Sequence, residues 1–203
     1  MAFTVATWSY KGGASKTTTC LNTAAALHSL GFTVAVIDQD EQATTVALSG
    51  LAGMPFPVLS ASEVSTPPNV DFLFLDYPPG YAGAEISQQQ DLLLVPVRPV
   101  WTDYEATKRG LKSLGAGNQV IVIAAMVEQQ REPHKVFVDR LRKEYGDDMP
   151  VIPKRSVIED TNNYGLTVFD MPLQSYGVRA ARSLYMDIAT RIIKLSNKQG
   201  NTP

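Results

Sequence analysis

Ser9-Tyr-Lys-Gly-Gly-Ala-Ser-Lys-Thr-Thr-Thr19 lies between a β-rich apolar run, Phe3–Trp8, and a stretch, Thr17–Leu30, whose apolar residues recur at helical spacing before Gly31 closes it. A glycine-rich turn leading from a strand into a helix is suited to phosphate. Several backbone N–H groups must surround the oxygens, and glycines permit the dihedrals that turn those groups inward. The helix N-terminus adds partial positive charge at the same place. On this reading Gly12, Gly13, Ala14, Ser15, Lys16, Thr17 and Thr18 line the anion. Lys16 reaches the β- and γ-phosphates, and Thr17 offers its hydroxyl to Mg2+. The rival reading, a glycine turn with incidental lysines, leaves the shared spacing of strand, loop, lysine and helix unexplained.

Outward from that loop, short apolar runs alternate with helical patterns. Val34–Ile37, Phe72–Leu75, Leu92–Val97 and Val120–Val127 read as further strands, and Val151-Ile152 as a short sixth. The runs are continuous rather than alternating, as in strands buried on both faces. Helices are predicted near 41–48, 102–114, 133–145 and 176–197. The alternation predicts an α/β fold, a doubly wound, mostly parallel sheet flanked by helices. Leu51–Asn69 is rich in Pro, Ser and Gly and reads as a loop with a short helix, its prolines arguing against a regular element. No internal repeat or low-complexity linker interrupts residues 1–203, which read as one domain with a polar, frayed tail at Asn197–Pro203.

Two of the strands end in carboxylates. Val34–Ile37 runs into Asp38-Gln-Asp-Glu-Gln42, and Phe72–Leu75 into Asp76-Tyr-Pro-Pro-Gly80. Open α/β sheets bind ligands beyond the carboxyl ends of their strands, which favours a site here. An N-cap for the next helix is the alternative use of Asp38 or Asp40. Asp76 after four apolar residues has the Walker B form, whose carboxylate holds Mg2+ through water.

The loop departs from the common Walker A form, with Tyr10 at the first glycine position and Ser15 at the glycine before the lysine. What remains, Lys11-Gly-Gly-x-x-Lys16-Thr17, resembles the deviant Walker A loop of the ParA/MinD ATPases, a class of P-loop NTPases. The resemblance implies ATP and Mg2+ as cofactors, and that Lys11 crosses a dimer interface to the partner's bound nucleotide. That family usually has glycine where Ser15 stands, so the resemblance implies altered nucleotide affinity or turnover. The run from Asp38 resembles the family's Asp-x-Asp-Pro-Gln segment, with Glu41 in place of proline. It implies that Asp40 orients or activates the attacking water while Asp38 helps Thr17 and Asp76 hold the hydrated Mg2+. Lys11, Lys16 and Asp40 are then the implied catalytic set. Asp76-x-Pro-Pro matches the family as well, with Gly80 giving a backbone contact near the γ-phosphate. Val95–Tyr104 resembles a stretch at the dimer interface. Ile152-Pro-Lys-Arg155 resembles the adenine loop, with a carbonyl from Pro153 and with Arg155 on the base or on a carboxylate. Gly165–Asp170 resembles a closing, mostly structural motif. These motifs run from residue 3 to about 172 in family order. The loop's start within about ten residues of Met1 is similar to small ParA proteins without an N-terminal helix-turn-helix extension.

Charge adds a second theme. The net charge of −2 conceals a division: residues 1–107 hold three Lys/Arg against ten Asp/Glu, and residues 108–203 hold fifteen against ten. The final predicted helix carries Arg179, Arg182, Arg191, Lys194 and Lys198 with only Asp187 opposing them, and the first four are candidate DNA contacts. Basic side chains on one surface bind phosphate without reading bases, so non-specific binding is the expected mode. Two other basic sets, Lys108/Arg109/Lys112 and Lys135/Arg140/Arg142/Lys143, are present, and the latter reads as a solvated face. The family resemblance implies an ATP-dependent sandwich homodimer on non-specific DNA and hydrolysis stimulated by a ParB-like or cargo-adaptor partner. The outcome is partition of plasmid or chromosomal DNA, or positioning of a protein cargo such as a microcompartment or chemoreceptor cluster. The expected location is cytoplasmic, on the nucleoid when ATP is bound. A MinD-like membrane ATPase would need a C-terminal amphipathic anchor, and the polar residues after Leu195 predict no stable membrane association. A metabolic P-loop enzyme has no use for a cross-dimer lysine at Lys11.

The remaining composition excludes several classes. No apolar run approaches the roughly 18–20 residues of a membrane span, and no secretory signal pattern opens the chain. The single cysteine, Cys20, rules out an intrachain disulfide and reads as a small core residue, with a reducing compartment expected. His28 and His134 lack metal-ligand spacing with Cys20, and His28 is expected on the exposed face of the first helix.

Overall fold

Strands that are apolar throughout must be covered on both faces, and the chain does this with helices on each side of one sheet. The computed structural model describes residues 1–80, 90–113, 119–198 and 200. Its strands are β1 Phe3–Thr7, β2 Val34–Asp38, β3 Val58–Ser60, β4 Phe72–Asp76, β5 Leu92–Val97, β6 Gln119–Val127 and β7 Val151–Pro153. The α-helices are α1 Lys16–Ser29, α2 Thr44–Ala52, α3 Trp101–Ser113, α4 Glu132–Tyr145, α5 Ser156–Asn163 and α6 Val178–Lys198. The seven strands form one sheet in the order β3-β2-β4-β1-β5-β6-β7, and every pairing is parallel.

Successive residues of each strand enter different cores. Phe3, Val5, Leu92 and Leu94 pack with Cys20, Leu21 and Ala24 of α1 and with Tyr185, Ile188 and Ile192 of α6. Ala6, Leu93, Val95 and Val97 pack on the other side with Tyr104 of α3 and with Phe137, Val138 and Leu141 of α4. Gly110 brings α3 close to the end of β1, since a methyl carbon built there would lie 2.4 Å from the Trp8 ring. Gly31, at φ +93°, closes α1 in the left-handed region that favours glycine, and its N–H donates to the His28 carbonyl at 2.9 Å.

Several expectations need correction. The proline-rich segment contains β3, a three-residue strand registered Ile37↔Leu59 against β2, followed by a 3-10 turn at Ala61–Glu63. The second helix starts at Thr44 rather than 41, because residues after Asp38 form the turn that carries Asp40. α5 had no counterpart in the sequence reading. His28 is half-buried, its ring edge-on to Phe56 at 5.9 Å, rather than exposed. Position 114 of the third predicted helix and positions 199 and 201–203 of the tail lie outside the described residues.

Candidate nucleotide site

Parallel register brings the site together. Asp76 is level with Thr7 of β1 on one side and with Asp38 of β2 on the other, so the loop after β1 and both carboxylates share the carboxyl edge of the sheet. Within the loop, Gly13 (φ +68°) and Ser15 (φ 67°) are left-handed. Alternating handedness of this kind turns successive N–H groups toward one anion. Lys16 opens α1, is only 8% exposed, and has its pKa lowered by burial against the opposing fields of Asp76 and Asp40.

The acidic side is built around Asp76, which is 4% exposed. Its Oδ2 accepts from the hydroxyls of Thr17 at 2.6 Å and Thr45 at 2.7 Å. Burial pushes its pKa from an ordinary 3.8 up to about 6, the two hydroxyls and Lys16 pulling it back and Asp38 adding to the rise. Asp76 Oδ1 is buried and has no hydrogen-bond partner among the described residues. An orphaned carboxylate oxygen beside a threonine hydroxyl fits a hydrated Mg2+, which is held by one or two carboxylates together with ligand phosphates. Among the described residues no group of three or more His, Cys, Asp and Glu could hold a metal.

Asp38 is buried and serves the helix that follows it. Its Oδ2 accepts from the N–H groups of Thr45 at 2.8 Å and Val46 at 3.2 Å, and its Oδ1 from that of Asp40 at 3.0 Å. Ala43, at the head of α2, has no side chain able to cap, so Asp38 supplies the capping acceptor from the strand end. One lone pair of Oδ1 remains for a metal-bound water. Asp40 is half-buried, and its Oδ1 accepts from Gln42 N–H at 3.0 Å. Gly80 comes against the loop, since a methyl carbon on it would lie 3.9 Å from the Tyr10 carbonyl oxygen. Lys11 is exposed, and no ion pair engages it among the described residues.

A cleft of about 240 Å3 adjoins the loop. Gly13, Ser15 and Thr18 form one wall, and Met126, Pro153, Arg155 and Asn162 face them. The β6–β7 register shifts between Ala124 and Val127, and Met126 takes φ 57°, so a bulge re-aims this part of β6 at the cleft. Arg155 Nε is buried and has no hydrogen-bond partner among the described residues, a donor available to a ligand. Sequence reasoning placed Pro153 and Arg155 in this neighbourhood but missed three contributors. Thr45 reaches Asp76 Oδ2 from the first turn of α2, a contact that only the folded chain makes. Asn162 donates to the Thr18 hydroxyl at 2.6 Å from the unanticipated α5. Met126 enters through the bulge.

The four candidate DNA residues separate on inspection. Arg179 and Lys194 are exposed, about 22 Å apart along α6 at 1.5 Å per residue. Arg182 is half-buried and donates to the carbonyls of Val168, Phe169 and Met171 at 2.9, 2.9 and 2.6 Å. Its charge serves the fold of the loop before α6. Arg191 pairs with Asp148 at 2.8 Å and Asp187 at 3.1 Å. Of the other basic sets, Lys108 pairs with Glu144, Lys135 with Glu132 and Arg142 with Asp139. Arg140 lies over the Trp101 ring at 4.0 Å.

With this geometry in view, the profile of the CobQ/CobB/MinD/ParA nucleotide binding domain matches residues 5–168. The chain belongs to this family. CobQ/CobB/MinD/ParA relatives of known structure share its fold. A plasmid partition protein from Borrelia burgdorferi B31, solved with AMPPNP, is 14% identical, with 98% of this chain and 100% of that one covered and a TM-score of 0.67. MinD from Pyrococcus horikoshii, complexed with Mg-ADP, is 19% identical over 97% of this chain and 98% of that one, with a TM-score of 0.68. Apo McdA from Cyanothece is 16% identical over 95% and 100%, with a TM-score of 0.69. A search of curated proteins finds no match. Among the described residues no helix is long and apolar enough to cross a membrane.

Proposed function

We propose that this chain is a ParA-type ATPase. ATP and Mg2+ bind at the loop Lys11–Thr18, two subunits close around the nucleotide, and the closed dimer binds DNA without sequence preference. The observation that carries the reading is the Asp76–Thr17–Thr45 cluster. A buried carboxylate with one orphan oxygen sits against the first turn of the phosphate-loop helix, beside a buried lysine. Lys16 would bind the phosphates. Bound Mg2+ would neutralise their charge. Asp40 would hold the water that attacks the γ-phosphorus as the bond to the ADP oxygen breaks. The exposed Lys11 would reach a partner's nucleotide, which makes ATP a ligand of the dimer rather than of one subunit. Pro153 and Arg155 would hold the base.

DNA contact is assigned to Arg179 and Lys194, with Arg191 in a secondary role because two carboxylates already engage it. Two exposed cations per subunit bind weakly alone and better when doubled by dimerisation. DNA affinity should therefore follow ATP. A partner of the ParB or cargo-adaptor type would accelerate hydrolysis, and the cargo would be plasmid or chromosomal DNA, or a protein assembly.

The test is DNA binding with ATP, ADP and no nucleotide at two salt concentrations, beside vesicles of anionic lipid. ATP-dependent, salt-sensitive DNA binding is expected. Binding indifferent to nucleotide, or to vesicles alone, contradicts the DNA switch. Asp40→Ala should trap the ATP dimer on DNA, and normal hydrolysis by that variant would remove Asp40 from its role. Lys11→Ala should impair hydrolysis while sparing ATP binding.

A further inference from the structure

Three cations stand among the first 107 residues, Lys11, Lys16 and Arg98, against ten carboxylates. The first two belong to the phosphate loop. The fold brings the third to the same place. β5 runs beside β1 in parallel register, Thr7 opposite Leu94, and Trp8 N–H donates to the Leu94 carbonyl at 2.9 Å. Arg98 follows β5 directly and so emerges beside the loop that follows β1.

Its guanidinium is held in a defined direction. Nε and Nη2 both donate to Asp103 Oδ2, at 2.9 and 2.5 Å, and Asp103 is a buried residue in the first turn of α3. The remaining nitrogen, Nη1, faces the loop, for a methyl carbon built on Gly13 would lie 3.7 Å from it. One edge of a planar fork is thus fixed by a carboxylate while the other presents N–H groups beside left-handed Gly13. An arginine already immobilised loses little further freedom on meeting a second anion. Such a cation offsets the negative field that Asp38, Asp40 and Asp76 gather at the same edge, which opposes a polyphosphate.

We propose that Arg98 is a further phosphate-contacting residue of the nucleotide site, aimed by Asp103 and supplied by the same subunit. This rests on the nucleotide reading above. Arg98 adds a charge-assisted contact to the phosphate chain and none to the nucleoside, so its contribution grows with the number of phosphates. The rival role is a brace between the end of β5 and the start of α3, which would act on folding and on all nucleotides alike.

The experiment uses the full chain with Mg2+ and measures dissociation constants for ATP, ADP and AMP, with melting temperature recorded without nucleotide. Arg98→Gln should weaken ATP at least about tenfold, as expected for one charge-assisted hydrogen bond to phosphate, and leave AMP within about twofold. Arg98→Lys keeps the charge but loses the fork and should lie between wild type and Arg98→Gln. It also serves if the glutamine variant does not fold. Asp103→Asn, which loosens the aim, should weaken ATP by less than Arg98→Gln. Equal losses for all three nucleotides, or a lower melting temperature with ATP affinity unchanged, would reduce Arg98 to a brace. Failure of the wild-type chain to bind ATP would overturn the nucleotide reading and this assignment together. ATP binding by wild type with ATP affinity unchanged in both Arg98 variants would overturn this assignment alone.

Discussion

Replacing Ser15 by glycine should stabilise the nucleotide-free protein. Ser15 sits at φ 67°, ψ 30°, at the head of α1, where a Cβ crowds the backbone. The left-handed conformation costs an L-residue about 1–2 kcal/mol relative to glycine. Glycine also gains freedom in the unfolded chain, which offsets about 0.4–1 kcal/mol of that benefit. The hydroxyl makes no capping hydrogen bond to α1, so no helix cap is lost with it. Taken at the midpoints of these ranges, the net gain is about 0.8 kcal/mol, or about 2–3 °C in melting temperature for a chain of this size. Calorimetric or circular-dichroism melting without nucleotide measures it. Ser15→Ala keeps the strain and should melt within about 1 °C of wild type, while Ser15→Val should melt lower because branching at Cβ is least compatible with this conformation. If Ser15→Gly melts at or below wild type while Ser15→Ala is unchanged, strain at this residue is not what limits the loop.

Four further outcomes follow from other parts of the fold. Asp76 has its pKa raised to about 6 in the fold from an ordinary 3.8, so its protonated form favours folding. That contribution, about 3 kcal/mol at most at 1.36 kcal/mol per pH unit, is fully present below about pH 4 and is lost as pH rises through about 6. The stability difference between wild type and Asp76→Asn, followed by urea unfolding, should change across that window, and a constant difference contradicts it. Arg182→Ala should destabilise the protein by at least about 2 kcal/mol through three abandoned carbonyls while leaving the salt dependence of any DNA binding unchanged. Arg179→Ala or Lys194→Ala should reduce that salt slope by about 1 each. Gly165→Ala should cost roughly 2–4 kcal/mol in chemical denaturation, because Gly165 has φ +67° and a Cβ there would meet the Leu48 carbonyl oxygen at 2.1 Å.

What could be read from the chain was whatever is written locally. The loop Ser9–Thr19 announces itself within a few residues, and Asp38 and Asp76 follow apolar runs that mark their own strands. β3 escaped because a three-residue, half-buried strand flanked by proline has no periodicity to show. α5 escaped because Ser-Val-Ile-Glu-Asp-Thr-Asn-Asn is short and mostly polar. Thr45 and Arg98 gain their meaning from contacts that only the folded chain makes. The basic helix was over-read for the same reason. Nothing within Val178–Lys198 reveals that Arg191 is matched by Asp148, 43 residues away, or that Arg182 turns inward to carbonyls of the preceding loop.

Lys16 and Asp76 together explain why the site should couple nucleotide to protons. Burial pushes both toward neutrality, Lys16 downward and Asp76 upward, and each only partly restores the other. On the proposed reading a polyphosphate would bring negative charge to Lys16 and Mg2+ would bring positive charge to Asp76, so the full ligand would supply both missing partners. Mg2+ held there would compete with the proton on Asp76 whenever the pH lies near or below its value of about 6. Titrating MgATP at about pH 6 in buffers of different ionisation enthalpy should show a larger proton release than at about pH 8, where Asp76 is already ionised. Asp76→Asn should abolish the difference attributable to this carboxylate. ATP with EDTA should lose it too, leaving only the release that the phosphate contacts themselves produce. Equal proton release at the two pH values, after correction for the ligand's own ionisation, would mean that Asp76 does not exchange its proton for the metal.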